Sequence, residues 1–371
     1  MCRIIRTVLE ALLMFLIIAV CNTACTNKYV IVVLTSVLLL FVSRRKEWSG
    51  EVLVCVSMPV VVYLLAGGVS TLLSFNAQTT AIKIMLFWTV PLLFTFALYV
   101  YFGENMLRIV DMQFVASCMI YVIPHIRFGI ENGFAESTFA FVFGAYLIYY
   151  VFKNKWIGSV VSAILMCCCG KRIAILAAGS ALAVLFFMWI FRNHKKLAIT
   201  IWGVVVGAVN IYIYLICSGI LEYFCQGIGI NTNGRNKIYA AMIDWIDSEV
   251  LFVGKGLGIV EELLGHWKVY EFNNLHNDLL KFYIEIGIIG LMLYLVSYGV
   301  TLWLIGKKFG NAEMSLVLSL TIYSIVLFAT DNVSIYIIYL IPIYSIYFAV
   351  LAAKEKGNIG QVYDNEINTK I

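Results

Sequence analysis

The chain has 371 residues, 62% of them hydrophobic and only 13% charged, with a mean hydropathy of +0.93 and a formal net charge of +5. A soluble domain runs at roughly 45–50% apolar and about 25% charged residues, and no water-soluble core of this length hides such a surplus. The composition excludes a cytosolic enzyme, a secreted disulfide scaffold and a nucleic-acid-binding domain, and defines a polytopic membrane protein of all-α class.

Apolar runs separated by short polar breaks place spans near residues 7–21, 29–42, 51–75, 82–102, 112–130, 137–152, 156–170, 173–191, 197–217, 278–305, 314–330 and 333–352. Arg3 and Arg6 before the apolar run 11–20 fit a signal peptide or an uncleaved first helix. The many spans that follow favour the uncleaved helix. Basic residues mark the cytoplasmic side of short loops. With both termini inside, the inner segments collect Arg3, Arg6, Arg108, Lys153, Lys155, Arg192, Lys195, Lys196, Lys307 and Lys308, among others. The expected organisation is membrane helices over 1–217, a long extracytoplasmic loop over 218–277, further membrane helices over 278–352, and a polar cytoplasmic tail over 353–371.

The cysteines need little explanation. Cys167, Cys168 and Cys169 lie inside an apolar run, where a thiol behaves as a small hydrophobe. Cys21 with Cys25, or Cys217 with Cys225, sit near the outer face and could pair in an oxidising compartment. No Cys/His spacing resembles a zinc site.

The run 156–191 is too long for one helix, and Lys171 and Arg172 divide it. Basic residues at both of its ends require both ends to be inside, so the Lys171-Arg172 turn reaches the outer face, against the usual charge bias. A cation at membrane depth costs roughly 2.5–3.5 kcal/mol on the lenient scale. A misplaced cation pair points to an anionic partner such as a lipid diphosphate, which arginine's planar fork suits. The bland alternative is snorkelling to ordinary lipid headgroups.

Only the 218–277 connection is long, and long loops are commonly functional or disordered. Ile238, Met242, Trp245 and Ile246 recur at helical spacing, with Lys237, Asp244 and Asp247 elsewhere on the wheel. Asn233 or Asn236 could cap this helix, and its amphipathic pattern predicts that it lies along the outer membrane face. A glycine-rich turn follows at Gly254, Gly256 and Gly258, without the spacing or Lys-Ser/Thr pair of a Walker loop. His276, Asn277 and Asp278 then open a span that carries Glu285 about two turns in. An interfacial His is commonly a polar anchor, but a neutral imidazole is also a suitable base for a hydroxyl. Asp278 could orient that imidazole or simply cap the helix. Glu285 is too deep for an idle surface charge, and bonding to a neighbouring helix is its expected role. His125, Arg127, Lys255 and His266 are lesser candidates.

Gly234-Arg235 opening an amphipathic helix, the Gly-x-Gly-x-Gly turn, His276-Asn277, and Glu285-Ile286-Gly287-Ile288-Ile289-Gly290-Leu291, in this order, resemble the O-antigen ligase and Wzy-type polysaccharide polymerase superfamily. The close resemblance covers about residues 233–295. It implies a glycosyltransferase of bacterial envelope polysaccharide (O-antigen, lipopolysaccharide, capsule or exopolysaccharide) biosynthesis, with a GT-C-like membrane fold. It also implies no required metal or other cofactor, and no nucleic acid partner. The implied donor is an undecaprenyl-diphosphate-linked glycan on the outer leaflet of the cytoplasmic membrane. By the resemblance, His276 is the catalytic base, Arg235, Arg172 and Lys171 bind the diphosphate, and Asn277 supports the base. The family's Ser-x-Ser-Arg reads Cys169-Gly170-Lys171-Arg172 here, and Tyr239 follows Arg235 where many relatives carry Trp. A flippase and a chain-length regulator are the partners it suggests, beyond membrane lipid and a glycan acceptor.

The residues and the resemblance together predict inverting transfer by a polymerase, with a ligase as the alternative. A transporter or flippase is the rival from another class. A transporter should show paired halves and broken helices at matching positions, whereas here one outer loop carries nearly all the polar interest.

Overall fold

Every one of the twelve apolar runs folds as a helix, since a chain in hydrocarbon must satisfy its backbone polar groups internally. The computed structural model describes residues 2–23, 27–43, 48–74, 79–128, 137–192, 194–227, 235–246, 251–266 and 275–368. Its helices are α1 (Cys2–Cys21), α2 (Lys28–Val42), α3 (Gly50–Leu73), α4 (Thr79–Phe102), α5 (Met106–Phe128), α6 (Phe139–Phe152), α7 (Trp156–Cys168), α8 (Arg172–Ile190), α9 (Lys195–Cys217), α10 (Ile220–Gly227), α11 (Arg235–Trp245), α12 (Ile259–His266), α13 (Asp278–Lys308), α14 (Asn311–Phe328) and α15 (Ile337–Asn368). No strand occurs among the described residues. Seven helical stretches are long and apolar enough to cross a membrane, one of them the joined 80–124 that carries most of α4 and α5. α2, α6 and α7 are shorter apolar helices.

Burial separates centre from periphery. In the most apolar stretch of α15, 89% of residues are buried, and in α14 78%, against 22% in α9. α6 is buried over nearly its whole length and packs on α7, α8 and α15. Helices meet closely where side chains are small, as expected when lipid tails compete equally for apolar contact. Ala174, Ala177, Ala178 and Ala181 form one buried face of α8, which packs on α14. Gly144 of α6 leaves room for Tyr323 of α14, whose hydroxyl donates to Phe141 O at 2.8 Å. Large side chains at the outside of the bundle, such as Phe41, Leu72, Trp156 and Trp189, are widely exposed, an arrangement suited to lipid rather than water.

Sequence reasoning anticipates one helix in the 218–277 loop, and its described residues hold three, α10, α11 and α12. The apolar stripe of α11 is present, with Ile238 and Met242 fully buried and Ile246 2% exposed just past its end. Protein covers that stripe, so α11 packs its apolar face into the protein core and not into a membrane surface. Cys217 and Cys225 are free thiols, as is Cys21, while Cys25 and Asn233 lie outside the described residues.

α13 is broken at Gly287, whose φ of 70° and ψ of 177° are open essentially to glycine alone. The break frees the carbonyls of Ile284 and Glu285 and the amides of Ile288 and Ile289, which would otherwise pair with each other. The segment 251–256 fills all four: Lys255 N donates to Ile284 O at 2.8 Å and Gly256 N to Glu285 O at 3.0 Å, while Ile288 N donates to Leu251 O at 2.7 Å and Ile289 N to Phe252 O at 3.2 Å. The glycine-rich turn is thus a structural insert. A Cβ on Gly287 would stand 2.4 Å from Gly254 N, and one on Gly254 2.3 Å from Glu285 O. Gly287→Ala is therefore expected to lower stability by roughly 3 kcal/mol or more, combining backbone strain with displaced hydrogen bonds. A fall in thermal unfolding temperature in detergent, larger than for alanine at the open Gly203, would show it.

Candidate active site at one end of the bundle

Breaking α13 turns residues 278–286 into a separate, wholly buried half-helix. Its N-cap is Asn277, whose Oδ1 accepts from Leu280 N at 3.0 Å, while its amide donates to the Tyr212 hydroxyl at 3.0 Å. Just before the cap, His276 sits in the left-handed region with φ of 51°, uncommon for a residue other than glycine. Its carbonyl accepts from the Tyr239 hydroxyl at 3.3 Å. The unusual backbone is held from both sides, by α11 and by the capped half-helix.

The side chain of His276 meets the turn between α14 and α15. Its Nδ1 lies 3.4 Å from Asp331 Oδ1, a long contact at the edge of hydrogen bonding. The other carboxylate oxygen, Oδ2, accepts from Lys171 Nζ at 2.9 Å. Asn332 N adds a bond to Oδ1 at 2.8 Å. Burial of Asp331 opposes ionisation, but the His276 contact, the Lys171 charge and these hydrogen bonds hold its carboxyl down at about 2. An ionised carboxylate only accepts, so the imidazole nitrogen facing it carries hydrogen and Nε2 keeps its lone pair. The Lys171 ammonium also lies 5.0 Å from the centre of the Phe141 ring.

Arg235, the first residue of α11, donates from Nη1 to Thr330 O at 2.9 Å, one residue before Asp331. Tyr212 fixes the same turn through a 2.6 Å bond to Ala329 O. Burial pushes the Tyr239 phenol up, so it stays a neutral donor. His276, Lys171, Arg235 and Asn277 of the expected site therefore converge on residues 329–332.

The remaining candidates fall elsewhere. Arg172 opens α8 beside Lys171, is exposed, and makes no hydrogen bond or ion pair among the described residues. Asp278 does not orient the imidazole: its oxygens accept from Ser334 N at 2.8 Å and Ser334 Oγ at 2.7 Å. Asp331 occupies the position expected of Asp278, because a residue inside the first helical turn points back into the bundle. Glu285 belongs to a second cluster, accepting from Gly258 N at 2.8 Å and from the Tyr63 hydroxyl at 3.2 Å. Lys281 in that cluster is paired with Glu261. Lys255 is part of the insert, and the side chains of His266, at the end of α12, and of His125 and Arg127 lie outside the described residues.

Asp331 is absent from the residues that motif reading selects. Its signal is visible: it is the one charged residue between Glu313 and Lys354, set in the short break between two apolar runs.

An all-helical bundle with apolar crossing helices and a cationic, histidine-bearing cluster at one end defines an integral membrane protein with a polar site at the bundle's end. Residues 157–295 match the family model described as O-antigen ligase, a span that includes Lys171, Arg172, Arg235 and His276. Over that stretch the chain is similar to O-antigen ligases, which supports the likeness to the O-antigen ligase and Wzy-type polymerase superfamily. No curated protein matches the chain in sequence.

Asp331 ionises more readily in the folded chain than the usual value near 3.9. Its ionisation therefore contributes about 2 kcal/mol of stability that is fully present above pH ~4 and is lost as pH falls towards ~2. The stability difference between wild type and Asp331→Asn, followed by thermal unfolding in detergent, should narrow across that window. A gap that stays constant from pH 5 to pH 2 would contradict the bridging role.

Proposed function

We propose that the chain is a polysaccharide polymerase that joins undecaprenyl-diphosphate-linked repeat units on the outer face of the bacterial cytoplasmic membrane. The observation that carries this reading is the imidazole of His276 set against Asp331, which also pairs with Lys171, while Arg235 binds the adjacent Thr330 carbonyl. The outer location rests on the concentration of basic residues in the loops at the opposite ends of the helices.

The reaction is an inverting displacement. The acceptor hydroxyl oxygen attacks the anomeric carbon as its proton passes to His276 Nε2. The bond from that carbon to the diphosphate oxygen breaks, and undecaprenyl diphosphate leaves with the electron pair. Arg235 and the exposed Arg172 offset the charge that builds on the leaving group, with Lys171 as a third cation. Asn277 and Tyr239 fix the backbone of the base, and Asp331 fixes its tautomer. Asp278 and Glu285 support the fold of the half-helix. In this scheme the three cations supply the positive charge, and no step passes through a metal.

Purified protein, given a fluorescent undecaprenyl-diphosphate repeat unit from its own host without nucleotide or metal, should yield a ladder of lengthening lipid-linked glycans. His276→Ala should slow it by roughly 10²–10⁴-fold, the usual contribution of a general base, and Arg235→Ala should also abolish the ladder. Transfer only after a different acceptor is added would make the chain a ligase, in keeping with the description of the matched family. An untouched substrate in both assays would favour transport, and a His276→Ala protein as active as wild type would remove the base assignment.

A further inference from the structure

One carboxylate in the site serves two positive or protonatable groups. Asp331 Oδ2 holds Lys171 at 2.9 Å, while Oδ1 holds the Asn332 amide at 2.8 Å and reaches His276 Nδ1 only at 3.4 Å. The side chain of Asp331 is 3% exposed and that of Lys171 15%, so the carboxylate is the more deeply buried of the pair. The charged and titratable groups around them are Arg172 beside Lys171, Arg235 and Tyr239 of α11, Tyr212 of α9, Asp278 of α13 and Tyr336 before α15. Among the described residues, the side chains hydrogen-bonded to Asp331 are those of Lys171 and His276. Asp278 is held by Ser334, and Arg235 donates to the backbone carbonyl of Thr330.

The cations differ in what holds them. Arg235 is tied to Thr330 O, and a guanidinium is a rigid fork. Lysine is a compact charge on a flexible stem with three rotatable donors, and it can change partners without moving its backbone. A carboxylate shared with a nearby cation exerts less field on a second group than one left alone.

We infer that Lys171 is a positioning residue that couples donor binding to the base: in the free protein it neutralises Asp331, and with a lipid diphosphate present it turns to the phosphates and leaves Asp331 to His276. The inference rests on the donor proposed above. No bond is made or broken in this step, only an ion pair exchanged. The long 3.4 Å contact is the state before exchange, and it shortens afterwards. The base is then strengthened only when a leaving group is in place, so the free protein does not hold a strong base idle at an open site.

The chain has four histidines, so His276 can be followed by NMR of isotope-labelled histidine in nanodiscs, assigned by its loss in His276→Asn. Without ligand, Lys171→Met should raise the titration midpoint of His276 by about one pH unit, as expected on unmasking a carboxylate within reach. Lys171→Arg, which keeps the charge, should restore the wild-type midpoint. In kinetics, Lys171→Met should move the acid limb of kcat/KM to higher pH and leave that of kcat in place. A lysine that serves only as a phosphate ligand would do the opposite, moving kcat and not kcat/KM, and that result would overturn the coupling. So would an unligated midpoint unchanged by Lys171→Met. Should that variant fail to fold, the wild type suffices: undecaprenyl diphosphate should move the His276 Nδ1 proton downfield as the contact shortens. A bound lipid that shifts other histidine signals but not this one overturns the coupling alone. A lipid diphosphate that shifts no histidine signal overturns the donor reading and the coupling with it.

Discussion

The site depends on a helix that is opened and then resealed by another part of the chain. Unpaired backbone groups in an apolar interior cost several kcal/mol each, so a break in a membrane helix persists only where something supplies the missing partners. At Gly287 the partners come from residues 251–256, which replace the two lost helical bonds with four bonds of their own. Ser70 of α3 strengthens the seal, donating to Glu285 O at 2.6 Å and accepting from Gly256 N at 3.0 Å. With α13 thus interrupted, its first two turns become an independent buried half-helix whose N-terminus carries Asn277 and His276.

That half-helix fixes a turn from another part of the fold. Asn277 caps it and reaches Tyr212, Tyr212 holds Ala329, and Asp278 holds Ser334. Arg235 adds Thr330. The 329–334 turn, with Asp331 at its centre, is anchored from α9, α11 and α13 at once. Anchoring of this kind lets a carboxylate sit 3% exposed and still be shared between two side chains without collapsing onto either.

Much of this was legible in the sequence, for definite reasons. Helix positions follow from apolar runs, because hydrocarbon permits few alternatives to a helix. Lys171 and Arg172 stood out because they split a run of apolar residues at the wrong end for basic charge. His276 and Asn277 stood out by their place at the head of a span. Harder to read were features created by long-range contact. Nothing local distinguishes Gly287 as a break from the other glycines of an apolar helix, since its φ is positive only because 251–256 fills the gap. Asp331 lies 55 residues beyond His276, and only folding brings the two within 3.4 Å. Asp278 was the nearer acid in sequence, but helical geometry turns it towards Ser334. The apolar stripe of α11 is visible in its periodicity, while its covering by protein depends on long-range packing that periodicity does not reveal.

Charge arithmetic separates the two polar clusters that share the half-helix. In the deeper one, Lys281 is matched to Glu261, and Glu285 takes a backbone amide and the Tyr63 hydroxyl, so each named group answers another within the protein. At the other end Lys171 pairs with Asp331 and Arg235 binds the adjoining Thr330 carbonyl, while Arg172 follows Lys171 in the chain and Asp278 is held by Ser334. Among the described residues Arg172 and Arg235 enter no ion pair, so positive charge at this end is left without a carboxylate of its own. Unbalanced charge near an apolar medium is costly unless a partner or water answers it. Arg172 is exposed and the Lys171 ammonium partly so, which leaves this charge within reach of water or of an anion.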